Sequence, residues 1–159
     1  MSRTMEQLIA SLDKANEIYT ELIQLAKEKR ELIKEQKIED LERLTSREMG
    51  LVGALYKLED IRAKIVDRLI EERGIPQIKT ISELADHLPA AERSRVIDAK
   101  NQLLVGIHTI SEETKFNARI LEEKIQLIDL NLQLLADAGE PEGNYGSDGK
   151  RKSIFDARI

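Results

Sequence analysis

The 159-residue sequence predicts an all-α protein: a long antiparallel helical hairpin or coiled-coil bundle, with a short connecting helix and a flexible C-terminal tail. Three observations carry this. Charged residues make up 35% of the chain and aromatic residues only 3%, with no Trp, the usage of long helices with a narrow apolar seam rather than of an aromatic-lined pocket. Proline and glycine are nearly absent from two long stretches, residues 4–73 and 90–136. Within both, apolar residues return every three or four positions, the period of one helix face.

The first stretch sets Leu8, Leu12, Ala15, Tyr19, Leu22, Ala26 and Ile33 on one face, and resumes through Leu41, Leu44, Leu51, Leu55, Leu58, Ile65 and Leu69. The step between Ile33 and Leu41 is longer and mostly charged, which marks a register shift or a break. Two outcomes stand open. A continuous helix is a rod of roughly 105 Å at 1.5 Å per residue, whose N-terminal part the second helix is too short to cover. A bend within residues 34–40 instead makes a three-helix bundle.

Gly74-Ile75-Pro76 ends this stretch, because glycine suits the left-handed position past a helix end and proline cannot continue the helix. Thr80 and Glu83 form a capping box that opens a short helix carrying Leu84 and Leu88. Pro89 fits the first turn of the next helix. That helix keeps the three-four step through Val96, Leu103, Ile107, Ile110, Leu121, Ile128 and Leu135, with Ile125 and Leu132 widening the stripe. Asn117 and Asn131 fall on its seam, where an asparagine either fixes register or is tolerated at a hydrated edge. The chain divides into a helical part, 1–138, and a flexible glycine-rich linker with a short apolar tail, 139–159, which holds four of the eight glycines and ends with Ile154, Phe155 and Ile159.

Catalytic and cofactor chemistry find no support. Gly149-Lys150 has Asn144 where a phosphate loop needs its first glycine, and Arg151 where it needs Ser or Thr. The two histidines, His87 and His108, sit on different predicted helices without a second ligand nearby, so no metal site is expected. Glu112-Glu113 and Glu122-Glu123 diverge around a helix and read as solvated faces. With no cysteine, thiol chemistry and disulfides are excluded. A net charge of −5 without a basic stripe argues against nucleic acid. Residues 1–14 lack a signal h-region, and no apolar run is long enough to span a bilayer, so a soluble cytosolic protein with no enzymatic activity and no cofactor is expected. Its function is to offer an apolar helical stripe to a partner.

The pattern resembles the FlgN-type flagellar export chaperones. The resemblance spans nearly the whole chain. It rests on Leu8, Leu12, Ile18-Tyr19 and Leu22, then Glu28-Lys29-Arg30, Leu41 and Leu44 with Glu48, and Leu55, Leu58-Glu59 and Arg62. Asn117 before Ile120-Leu121 follows the same pattern, with Ile120 where the family more often has Leu. Its more discriminating piece is the tail, Tyr145-x-x-x-Gly149 followed by Ile154-Phe155-Asp156-Ala157-Arg158. The resemblance implies a cytosolic chaperone that holds the C-terminal helical segment of hook-associated, hook–filament junction proteins, prevents early assembly and delivers them to the export apparatus. It places binding toward the C-terminal region, on Leu121, Ile125, Ile128, Leu132 and Leu135, with Tyr145, Ile154 and Phe155 as a second contact or a lid. The alternative is a homodimeric structural coiled coil whose apolar surplus is met by a second copy of the chain.

Overall fold

The computed structural model describes residues 1–139, which form four helices: α1 Arg3–Lys34, α2 Ile38–Arg73, α3 Ile81–Asp86 and α4 Ala90–Gly139. The linker and tail, with Tyr145, Ile154 and Phe155, lie outside the described residues. The first apolar stretch is therefore two helices, and the bend foreseen within residues 34–40 is the outcome. Its geometry is that of a glycine-type helix stop made without glycine. Gln36 takes the left-handed conformation at φ 58°. Its N–H donates to the Ile33 carbonyl at 3.2 Å, and that of Lys37 to the Leu32 carbonyl at 3.0 Å, the paired bonds that close a Schellman turn. α2 then starts without a side-chain cap, its first turn carrying Glu39 and Asp40 where the helix dipole favours carboxylates.

The other boundaries obey their local signals. Ser2 caps α1 by accepting from the Met5 N–H at 3.2 Å. Gly74 ends α2 at φ 62°, and the buried Ile75 that follows donates back to the Ile70 carbonyl at 3.1 Å. Thr80 accepts from the Glu83 N–H at 3.1 Å, while Glu83 returns its carboxylate to the Lys79 N–H at 2.8 Å, one residue before the position a standard capping box uses. Pro89 precedes α4, and its carbonyl accepts the first bond of that helix from Arg93.

α1 is the spine. It runs antiparallel to α2, as Thr4 bonded to Glu72, Gln7 to Arg68 and Glu21 to Arg47 require. It runs parallel to α4, as Asn16 bonded to Ala99 and Asn117 to Ala26 require. α2 and α4 both pack on α1 but do not approach each other at the backbone. α1 accordingly buries residues on two faces, Met5, Leu8 and Leu12 among them, whereas α2 buries only Leu44, Ile65 and Leu69. The core sits toward the N-terminal end of α1, where Met5, Leu8 and Leu12 meet Leu69, Leu84, Leu88 and Val96. Leu8 and Leu12, which a continuous rod would have exposed, are fully buried.

One ion pair closes this end. Arg73, in the last turn of α2, donates to both carboxylate oxygens of Glu92 in the first turn of α4, at 2.7 and 2.8 Å, and to the Ser2 hydroxyl at 3.2 Å. Three helix ends are thereby held by one guanidinium, with each charge at the helix end its dipole favours. The Arg73 hydrogen bond holds the Glu92 carboxyl below its ordinary value. A carboxylate lowered in this way contributes stability above its unfolded pKa, and that contribution is lost as pH falls through the lowered folded value.

Three outcomes are expected in thermal unfolding followed by circular dichroism. Glu92→Gln costs about 1–2 kcal/mol at neutral pH and flattens the loss of stability between about pH 5 and pH 3. Leu69→Ala, which empties a fully buried site, costs about 2–5 kcal/mol. Gln36→Gly relieves a left-handed non-glycine residue and raises stability by up to about 1 kcal/mol.

Candidate binding surface

The site is defined by a mismatch of lengths. α1 has 32 residues and α4 has 50. The bond between Asn117 and Ala26 fixes the register of the two parallel helices. At equal rise per residue, Lys34 falls level with about residue 121–125 of α4, which leaves roughly 21–27 Å of α4 beyond the end of α1. That overhang is residues 121–139.

A polar clamp holds its root. Asn117 is buried. Its amide nitrogen donates to the Ala26 carbonyl at 2.7 Å, and its amide oxygen accepts from Arg30 Nε at 3.2 Å. Arg30 also bonds Glu113 and lies over the Phe116 ring, 4.4 Å from its centroid. The reading of Glu113 as part of a solvated face is corrected: it lies beside the α1–α4 seam, where Arg30 pairs with it across the helices. The reading of Asn117 as a register-fixing seam residue fits its place. Asn131 is on the same line of α4 but exposed, because α1 has already ended.

The structure places Leu121, Ile125, Ile128, Leu132 and Leu135 on one side of α4, a continuation of the side that packs on α1. Leu121 and Ile125 are half-buried, and exposure then rises along the helix to 70% at Leu135. The sequence reading missed a second flank. Leu127, Leu130 and Leu134 are exposed on the far side of the overhang, in line with the exposed Phe116. Their three-four spacing was the signal, overshadowed by the wider stripe beside it. The overhang is thus apolar on two flanks while also carrying Glu122, Glu123, Asp129 and Asp137 against a single Lys124. Apolar exposure on this scale at a helix end makes it the candidate interaction surface among the described residues.

A shallower feature runs between α2 and α4. Ala15 and Tyr19 of α1 form its floor, and Leu55, Leu58, Leu103 and Ile107 its walls. Burial raises the Tyr19 phenol pKa, reinforced by the charge of Glu59 and opposed by that of Arg62. Gly106 permits close approach here, since a Cβ on it would stand 3.2 Å from the Tyr19 Cβ. Neither feature has the constellation of a catalytic site. Among the described residues no group of three or more His, Asp or Glu is placed to hold a metal ion, and no helix is long and apolar enough to cross a membrane. Ser82 accepts from Lys100 at 2.6 Å, a bond that ties α3 to α4.

A family model described as FlgN protein matches residues 1–153. No curated protein and no solved structure matches the chain.

Asn117→Ala removes the bonds to Ala26 and Arg30 together. It is expected to cost about 1–3 kcal/mol in chemical denaturation, with the larger loss of hydrogen-exchange protection in residues 113–121 rather than near Val96.

Proposed function

The chain belongs to the FlgN family, and on that premise we propose that it is a flagellar export chaperone working in the cytosol, whose α4 overhang holds the C-terminal helical segment of a hook-associated protein until export. The observation that supports this most is the exposed apolar surface of residues 121–139, which continues a packed helix seam past the end of α1, the helix that covers it among the described residues. Subunits that assemble through amphipathic terminal helices polymerise early if those helices stay free. A groove-like helix surface covers one by burying its apolar face. Delivery requires release, and an overhang one helix wide offers moderate affinity for that. Nothing in this role needs a cofactor or an enzymatic step, and FlgN is a chaperone family. Tyr145, Ile154 and Phe155 complete the proposed surface as a second contact or as a cover for the stripe when cargo is absent.

Isothermal titration of the purified hook-associated protein into the full chain is expected to show a one-to-one complex. Ile128→Asp and Leu132→Asp should each weaken it at least about tenfold, the effect of losing about 1.4 kcal/mol or more of binding energy, while leaving the thermal midpoint unchanged, because both side chains are exposed. Wild-type affinity in both variants excludes the overhang as the site. A stable dimer by light scattering, with no binding of the hook-associated protein, favours the structural coiled coil.

A further inference from the structure

The overhang repeats, two heptads on, the seam by which α4 holds α1. Leu103, Ile110, Asn117, Lys124 and Asn131 follow one another at intervals of seven, and Leu121, Ile128 and Leu135 do the same beside them. Where α1 is present, the first series faces it: Leu103 and Asn117 are buried, and Asn117 reaches a backbone carbonyl at an alanine. The same device recurs earlier in the seam from the other helix, as Asn16 donates to the Ala99 carbonyl at 3.2 Å. In both cases the acceptor is a helical carbonyl with a spare lone pair. The alanine methyl is small enough to let the amide reach it. Asn131 occupies the position of Asn117 in this series and has no α1 residue opposite it.

We infer that the cargo helix takes the line of α1 beyond Lys34, parallel to α4, with Asn131 setting its register by donating to a backbone carbonyl at a small residue. The inference rests on the chaperone reading and adds orientation, register and recognition chemistry. Orientation follows from two features. Among the described residues, α1 is the one long helix whose backbone approaches α4, and it runs parallel to it, so continuing this seam continues that direction. A parallel helix also sets its N-terminus against the C-terminal end of α1, head to tail with its dipole, whereas an antiparallel one would bring two negative ends together. The occupant is defined by what it meets. It is an amphipathic helix with Leu or Ile facing Ile128 and Leu135, a small residue facing Asn131, and basic residues along its edges. The basic edges complement Glu122, Glu123 and Asp137, which outnumber the overhang's one basic residue, Lys124. A polar residue at such a position specifies register at a cost in affinity.

The chain has no cysteine, so single cysteines report geometry directly. The test uses the full chain bearing Lys124→Cys or Leu135→Cys. The probe is the synthetic C-terminal segment of the hook-associated protein encoded in the same genome, with cysteine scanned along it, and disulfide products are mapped after mild oxidation. Cross-links from Leu135→Cys are expected about eleven residues further toward the C-terminus of the probe than those from Lys124→Cys, each confined to one register. Adding Asn131→Leu should keep or tighten binding while spreading the cross-links over neighbouring registers, an outcome that a merely space-filling role would not produce. Binding with reversed order, binding that cross-links only through Leu127→Cys or Leu134→Cys, or an unchanged register in Asn131→Leu overturns the inference and leaves the chaperone reading standing. No binding of the probe, with cross-links instead to a second copy or to Phe155→Cys of the chain itself, overturns both.

Discussion

Gln36 sets the dimensions of everything else in this molecule. A left-handed residue after 32 residues of helix stops α1, turns the chain, and returns α2 along the same spine. Had the helix continued, its N-terminal apolar face would have stood exposed. With the stop in place that face is the centre of the core, and the excess length passes to α4. The surplus apolar surface is thus moved from one end of the sequence to the other. The geometry costs something, since glutamine in this conformation is less favourable than glycine, and the paired carbonyl bonds from Lys37 and Gln36 offset part of that cost.

The two ends of the bundle are secured by different physics. At the N-terminal end of α1, fully buried Leu and Val side chains do most of the work, and Arg73 ties the helix termini together at the rim. Toward the other end apolar burial thins out, and a polar cluster takes over: Arg30, Glu113 and Asn117 with the Phe116 ring. Apolar packing tolerates small slips of one helix along another. A buried asparagine bonded to one particular carbonyl does not. The distance by which α4 outruns α1 is therefore defined by the polar end.

Much of this was legible in the residues. Gly74 with Pro76, and Thr80 with Glu83, act on their immediate neighbours, so their outcome is readable without knowing the fold. The turn at residues 35–37 was visible only as an interruption of the apolar rhythm, because glutamine carries no preference for the conformation it adopts. Asn117 was recognisable by its place on the seam, but its acceptor, 91 residues away in sequence, depends on tertiary register. Glu113 was misread because divergence from Glu112 around the helix says nothing about which of the two faces another chain segment. Of the proposed contact residues, those on α4 fall on one side as their spacing requires. Leu127, Leu130 and Leu134 keep a three-four spacing of their own, but it is overshadowed by the wider apolar stripe interleaved with it. FlgN membership covers residues 1–153 and so includes part of the tail sequence.

The backbones of α2 and α4 do not approach each other, and Arg73 pairs with Glu92 at the end of the bundle opposite the overhang, so changes on the first half of α2 are poorly transmitted to the overhang. A substitution on the outer face of α2, at Met49, Val52 or Tyr56, alters an exposed surface on a helix whose backbone does not approach α4. The overhang in turn contributes little to the core. Such an arrangement separates the residues under selection for folding from those under selection for recognition. A lineage can retune residues 121–139 to a drifting partner, one side chain at a time, without first acquiring compensating changes in the bundle.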